Sequence, residues 1–287
     1  MRVLTVPNWS FGRGPSLLGS FQEELSTADV RVHYTVSDVD HNRTVTAFSG
    51  DVAAVESTLL RLCDLAFGWI DMRDHVGVHP RVGALDVCPF VPLEPGDHAV
   101  RESLALAERV AARIGGGYGV PVFLYEKSER GRHEADLPAL RRGGFEALRD
   151  RELRPDFGPS HAHPKLGVTV LGVRDFLIAF NVDLATDNLA VAKEIAKEIR
   201  NYRADGDPRF LGVRALGFPL ASRGLTQVSM NLTLPDLTPI DPIVDWVETR
   251  AAEEGVLVAG TELVGVIRES DLRNATELQV RPEQVLK

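Results

Sequence analysis

Arg43-Thr44-Val45-Thr46-Ala47-Phe48-Ser49 alternates its side chains as a strand does, and Gly50-Asp51 then hands the chain to a different period. Val52, Val55, Leu59, Leu62, Cys63, Ala66 and Ile70 follow on one face of a 3.6-residue repeat, which predicts an amphipathic helix capped at Gly50-Asp51. Reading outward toward the N-terminus, Val30, Val32, Tyr34 and Val36 alternate as a second strand. Before it, Pro15 opens a helical stretch to Thr27, because proline suits the first helical position. Residues 2–6 are a short β-branched run ended by Pro7-Asn8. On the other side, Leu85 to Val91 is the next strand. The order is β-α-β-β-α-β, the arrangement of ferredoxin-like modules.

A third helix is expected from an N-cap at Asp97 to a stop at Gly115, with Val100, Leu104, Ala107, Ala111 and Ile114 as its apolar face. Val120 to Tyr125 reads as a strand in which Pro121 marks an edge or a start. Residues 126–165 are richer in charge, Pro and Gly, with one helix expected over Leu137 to Arg149. The second half repeats the order. Strands fall at 176–182, 212–218, 227–233 and from Val256, and helices at 187–201 and 240–254. No sequence repeat accompanies this echo. The expectation is an α/β (α+β) protein of two ferredoxin-like subdomains, 1–176 and 177–287, with mixed sheets, helices packed on them and a cleft between. Such clefts are common ligand sites.

Composition narrows the function. The chain has 287 residues, a formal net charge of −9, 44% hydrophobic residues and two cysteines. A chain this long buries a core without disulfide staples, and its apolar fraction is too high for a disordered one. No apolar run approaches the roughly 20 residues of a membrane helix. The apolar start is cut at Pro7, unlike a signal peptide. These features point to a cytoplasmic protein with free thiols and no membrane partner. Residues 1–176 hold 20 basic against 24 acidic groups, and residues 177–287 hold 12 against 17. Neither half is a basic arm, which argues against a nucleic-acid partner. Any anion site must be a local gathering of cations.

Asp71-Met72-Arg73-Asp74-His75-Val76-Gly77-Val78-His79-Pro80-Arg81-Val82-Gly83-Ala84-Leu85-Asp86-Val87 is the most informative stretch, dense in proton-transferring and anion-binding groups. Imidazole titrates near neutrality, so a histidine here can serve as base and acid. Pro80 biases His79 toward extended backbone. His75 and His79 read equally well as ordinary loop residues. Their four-residue spacing suits zinc only on a helix, and Gly77 and Pro80 make a helix through them unfavourable; no metal is expected. Pro155-Asp156-Phe157-Gly158-Pro159-Ser160-His161-Ala162-His163-Pro164-Lys165-Leu166-Gly167 is either a rigid loop lining a ligand site or a stiff connector. Asn8 and Arg13 flank the expected start of the first helix, where free N–H groups attract carboxylates. Asn42 and Arg43, in Asp38-Val39-Asp40-His41-Asn42-Arg43, either orient a carboxylate or cap a turn.

Six segments in order resemble the glutamate formimidoyltransferase (formiminotransferase) family. They are Val6-Pro7-Asn8-Trp9-Ser10 with Gly12-Arg13, Asp40 to Val45, His79 to Phe90, Asp156-Phe157-Gly158-Pro159, Phe176 to Asn181, and Gln227 to Thr233. The resemblance implies transfer of a formimidoyl group from N-formimidoyl-L-glutamate to N5 of tetrahydrofolate, in histidine degradation. It implies His79 as the catalytic histidine and Gly158–Gly167 as the folate-binding segment. It further implies two subdomains with folate between them, a homodimer, and a stand-alone transferase without the cyclodeaminase domain. Asn8, Arg13, Asn42, Arg43 and Arg81 are the substrate-binding candidates. Phe11 and Val78 stand where the family usually has Glu, and Tyr34 falls near a common Asp. Those replacements keep two alternatives open: folate-dependent formyl transfer from a different donor, or a non-catalytic folate-binding dimeric module.

Overall fold

The computed structural model describes residues 1–134 and 136–287. The chain divides into two compact units, Met1–Asp175 and Phe176–Lys287.

In the first unit β1 (Arg2–Thr5) and β2 (Asn8–Trp9) are two pieces of one strand, interrupted at Val6-Pro7 where proline supplies no N–H. They are followed by α1 (Pro15–Thr27), β3 (Arg31–Asp38), β4 (Arg43–Asp51), α2 (Val52–Trp69) and β5 (Leu85–Pro92). The split first strand lies between β4 and β5, antiparallel to both, and β3 pairs with the far side of β4. That is the β-α-β-β-α-β arrangement read from the sequence. The Asp51 side chain makes no cap hydrogen bond at the start of α2. Val55, Leu59, Leu62, Cys63, Ala66 and Ile70 are buried as the periodicity requires. Phe21 of α1 is fully buried, with the rings of Trp9 and Phe11 each at 5.1 Å in edge-to-face contact. Each such pair contributes about 0.5–1.5 kcal/mol beyond area burial. Phe11 is therefore a core residue.

α3 runs from Asp97 to Gly117, which corrects both expected ends. Gly96, at φ 99°, is its N-cap, and Asp97 lies inside the first turn, where a negative charge suits the helix dipole. Gly115 is not a stop. It faces the backbone of Gly158, and a Cβ there would come within 2.8 Å of the Gly158 nitrogen. The buried face is also rotated: Ala99, Ser103, Leu106 and Val110 join Ala107, Ala111 and Ile114, while Val100 and Leu104 are half-buried. β6 is shorter than expected, Val122–Leu124, and lies at the sheet edge just after Pro121. The single helix expected over 137–149 is two short ones, α4 (Leu137–Leu140) and α5 (Gly144–Leu148). Gly143 and Gly144 at φ 83° and 66° break it, since only glycine holds consecutive left-handed conformations freely. β7 (Thr169–Val173) runs parallel to both β5 and β6, and the sequence reading missed it. Buried on both faces, it shows no alternation.

The second unit holds β8 (Ile178–Leu184), α6 (Leu189–Ala204), β9 (Val213–Leu220), β10 (Leu225–Leu232), α7 (Asp241–Glu253) and β11 (Val258–Val264). Its antiparallel sheet has the order β11-β8-β10-β9. A short parallel pair, β12 (Ile267–Arg268) and β13 (Val285–Leu286), follows. Ile178, Phe180, Val182, Ile195, Ile199, Val228 and Val247 belong to its own core. Cys63 and Cys88 are free and buried, both in the core of the first unit. Among the described residues no helix is long and apolar enough to cross a membrane.

Candidate active site

Asp86 of β5 is an acid in an otherwise apolar strand, and it is fully buried. A buried carboxylate needs partners. One oxygen accepts the Val82 N–H at 2.9 Å, and the other accepts from Arg43 Nη1 at 2.7 Å and from Arg141 Nη2. Burial pushes the Asp86 pKa up, but Arg141, Arg43 and the Val82 N–H outweigh it and hold the carboxyl below the usual range. For Arg43 the balance goes the other way. Burial, together with the neighbouring Arg141, lowers its pKa to about 10 despite the Asp86 charge. Two guanidinium groups thus share one carboxylate.

Arg43 also donates through Nε to Asn8 Oδ1 at 3.1 Å, and Asn8 Nδ2 turns back to the Val6 carbonyl at 2.8 Å. This ties the break in the first strand to the start of β4. Asn42 is held at φ 46°. Its Oδ1 accepts the Gly12 N–H at 2.8 Å and its Nδ2 donates to the Val76 carbonyl at 3.1 Å, so it joins three loops. The loops meet at van der Waals contact: a Cβ on Gly12 would lie 2.0 Å from the Asp38 carbonyl oxygen, and one on Gly77 would lie 2.2 Å from that of His41. Arg13 Nε donates to the Val39 carbonyl at 2.9 Å on the exposed side of the same loop.

His79 lies half-buried in the loop from α2 to β5. Its Nδ1 is 2.7 Å from the Pro80 carbonyl oxygen, a contact that is favourable only with the proton on Nδ1. The basic nitrogen is then Nε2. The His41 ring is 5.8 Å away, edge to face. The pKa of His79 lies well below the ordinary histidine value, first through burial and then through Arg43, Arg141 and His41. Burial and these neighbours thus disfavour the charged imidazolium of His79.

Arg81 serves the loop itself. It forms a bidentate pair with Glu146 at 2.6 and 2.8 Å and donates to His75 Nδ1 at 3.1 Å and to the His75 carbonyl at 3.0 Å. His75 must then be neutral with its proton on Nε2, which faces the Asn42 carbonyl at 2.8 Å. Burial and Arg81 lower its pKa accordingly.

The segment Gly158–Gly167 divides in two. Its end runs beside the His79 loop: Ala84 donates to the Leu166 carbonyl at 2.9 Å, Val168 to the Val82 carbonyl at 3.0 Å, and Met72 to the Lys165 carbonyl at 2.8 Å. Gly167, at φ 73°, has room for no side chain against the Val82 carbonyl oxygen at 2.2 Å. His163 Nδ1 accepts from the Lys165 and Leu166 N–H groups, and Leu166 is buried. Lys165 Nζ donates to the Phe67 and Gly68 carbonyls at the C-terminus of α2. Ala162 packs against Val82, Leu148 and their neighbours. The beginning of the segment sits elsewhere, with Gly158 (φ 86°) against the Val120 carbonyl and Gly115. Gly158, Pro159, Ser160, His161 and Pro164 are exposed. Val78 is exposed beside His79, and Tyr34 is buried.

His79, Arg43, Asn8 and Asn42 therefore belong to one hydrogen-bonded and charged cluster, with Arg13 at its rim and Arg81 behind it. Arg141 and Glu146 were missed as members, while His75 and Asp86 were read only as part of the charged stretch 71–87. An acid inside the apolar run Leu85–Val91 was a signal for Asp86. No cluster of three or more His, Cys, Asp or Glu fit for a metal ion occurs among the described residues.

Such a site, a histidine of lowered pKa beside two arginines on an α+β scaffold, carries the groups that acid–base transfer on an anionic substrate would need. Residues 2–174 match the formiminotransferase domain, N-terminal subdomain, and residues 179–287 match the formiminotransferase domain. The chain belongs to the formiminotransferase family. It is 37% identical to a glutamate formimidoyltransferase of Thermoplasma acidophilum over 94% of this chain and 89% of that one. It is 35% identical to a glutamate formimidoyltransferase of Streptococcus pyogenes over 98% and 94%. A formimidoyltransferase-cyclodeaminase of Sus scrofa is 36% identical over 99% of this chain, which spans 53% of that longer protein.

Proposed function

We infer that this chain transfers the formimidoyl group from N-formimidoyl-L-glutamate to N5 of tetrahydrofolate, giving 5-formimidoyltetrahydrofolate and L-glutamate. The observation that carries this reading is His79, its pKa depressed by burial and by Arg43, Arg141 and His41, in a chain of this family. The reaction needs one group that takes a proton and returns it. N5 forms a bond to the formimidoyl carbon and loses its proton, and the carbon–nitrogen bond to glutamate breaks as that nitrogen gains one. His79 Nε2 serves as base in the first half and acid in the second. Positioned acid–base catalysis of this kind contributes about 10² to 10⁴ in rate.

Both substrates carry carboxylates, and the Arg43–Asp86–Arg141 cluster offers net positive charge beside His79. The exposed Gly158–His161 stretch is the part of the proposed folate segment open to a ligand. Tetrahydrofolate is the co-substrate, and no metal is required. The same reading takes the protein as a cytoplasmic homodimer acting in histidine degradation. The test supplies purified protein with tetrahydrofolate and formimidoylglutamate and follows 5-formimidoyltetrahydrofolate, with N-formylglutamate as a parallel donor. Turnover with the formimidoyl donor is expected, falling about 10²-fold or more in His79→Ala. Turnover with only the formyl donor overturns the donor assignment, and full activity of His79→Ala overturns the role of His79.

A further inference from the structure

Arg141 follows α4, and only 13% of its side chain is exposed. A guanidinium carries five N–H donors and cannot be discharged. Among the described residues Arg141 spends one Nη2 contact on Asp86, and its Nε is sealed from solvent with no acceptor. Asp86 is already neutralised by Arg43, which holds it at 2.7 Å, and by the Val82 N–H. Arg141 is therefore a second cation on a satisfied carboxylate. Burying such an under-bonded charge is costly, and an anion that pairs with it relieves that cost.

We propose that Arg141 receives the α-carboxylate of the donor and thereby positions it at His79. This rests on the formimidoyl-transfer reading for the identity of the anion. The bonding of the two substrates decides between them. In formimidoylglutamate one carbon separates the α-carboxylate from the nitrogen that bears the transferred group. In tetrahydrofolate the glutamate tail is separated from N5 by the methylene-amino bridge and the benzoyl ring. Arg141 grips the carboxylate that accepts the Val82 N–H, three residues after His79, and a cation so near the His79 loop is close to the donor carboxylate and far from the folate tail. The docked carboxylate also cancels the positive field of Arg141. His79 then gains proton affinity only once the donor is bound, which suits a base that must next act as acid. Among the described residues Arg43 of β4, His41 of the β3–β4 loop and Arg141 after α4 act on His79. Donor binding alters one of them.

The experiment compares wild type with Arg141→Gln and Arg141→Lys. Removing the surplus cation leaves a matched Arg43–Asp86 pair, so Arg141→Gln is expected to fold with an unchanged or higher Tm. The KM for formimidoylglutamate is expected to rise about tenfold or more, with the KM for tetrahydrofolate little changed. The acid limb of kcat/KM should move to higher pH, since a neighbour that depresses His79 is gone. Arg141→Lys should restore the donor KM in part. A donor KM within twofold of wild type in Arg141→Gln overturns the proposal, as does a rise confined to the folate KM. Calorimetry with L-glutamate provides an arm independent of turnover. If the wild type binds it and Arg141→Gln binds it about tenfold more weakly, the carboxylate site stands even where the transfer assay fails. Equal binding, or none to the wild type, overturns the site.

Discussion

Asp86 concentrates the electrostatics of the first unit in a single carboxylate. Asp86→Asn leaves Arg43 and Arg141 buried without a counter-charge. Breaking a buried pair in this way costs about 3–5 kcal/mol, which urea unfolding at neutral pH measures. The pH dependence has a fixed sign. Although burial alone would raise it, the folded-state pKa of Asp86 is depressed by Arg141 and Arg43. Its contribution to stability is complete above the ordinary aspartate value of about 3.9 and disappears as pH falls through the lower folded value. Stability of the wild type should therefore drop on acidification in a step that Asp86→Asn lacks, and parallel acid curves for the two proteins contradict this. At this scale the sequence was partly legible. His79 stood out because Gly77 and Pro80 hold it in a loop dense with charge; Asp86 left a signal, an acid inside an apolar strand, that was not taken up as a site residue. Arg141 carried no local mark. Its partner lies on a distant strand, and no periodicity reports a contact made only in the tertiary fold.

Among the elements, α2 shows how a loop residue can belong to a helix it is remote from in sequence. Lys165 donates to the carbonyls of Phe67 and Gly68, which have no partner further along the helix. A cation there also opposes the negative end of the helix dipole. Lys165→Met is expected to lower stability by about 0.5–1.5 kcal/mol, read as a drop of a few degrees in Tm; an unchanged melt excludes the cap. The elements themselves divide by how their patterns arise. α1, α2 and β3 were legible because one face of each is buried and the period shows, while β4 and β5 were read as apolar or β-branched runs of strand length bounded by turn residues. β7 was not, since a parallel strand covered on both sides reads as an apolar run with no alternation. The stretch 137–149 misled because Gly143-Gly144 can be helical in pattern while adopting left-handed backbone in fact. Gly115 looked like a helix stop and is a point of close approach to the backbone of Gly158.

At the scale of the whole molecule, the repeated β-α-β-β-α-β order was legible without any sequence repeat, because hydrophobic period and turn residues alone encode it. The addition of β7 and β6 to one sheet sets the first unit apart from the second. One further asymmetry has a practical consequence. Both cysteines of the chain lie in the core of the first unit, and the second unit has none. Burial raises the Cys63 pKa far above its usual value and pushes the Cys88 thiol up to about 12, despite its contact with Thr5. In the folded state almost no thiolate exists to react. A disulfide-exchange reagent should therefore modify the native protein only as fast as the first unit opens, and modification at the rate of a free thiol contradicts this. Openings confined to the second unit leave no trace in that reaction. The chain thus carries its own clock for the breathing of the half that holds His79, readable without introducing any label.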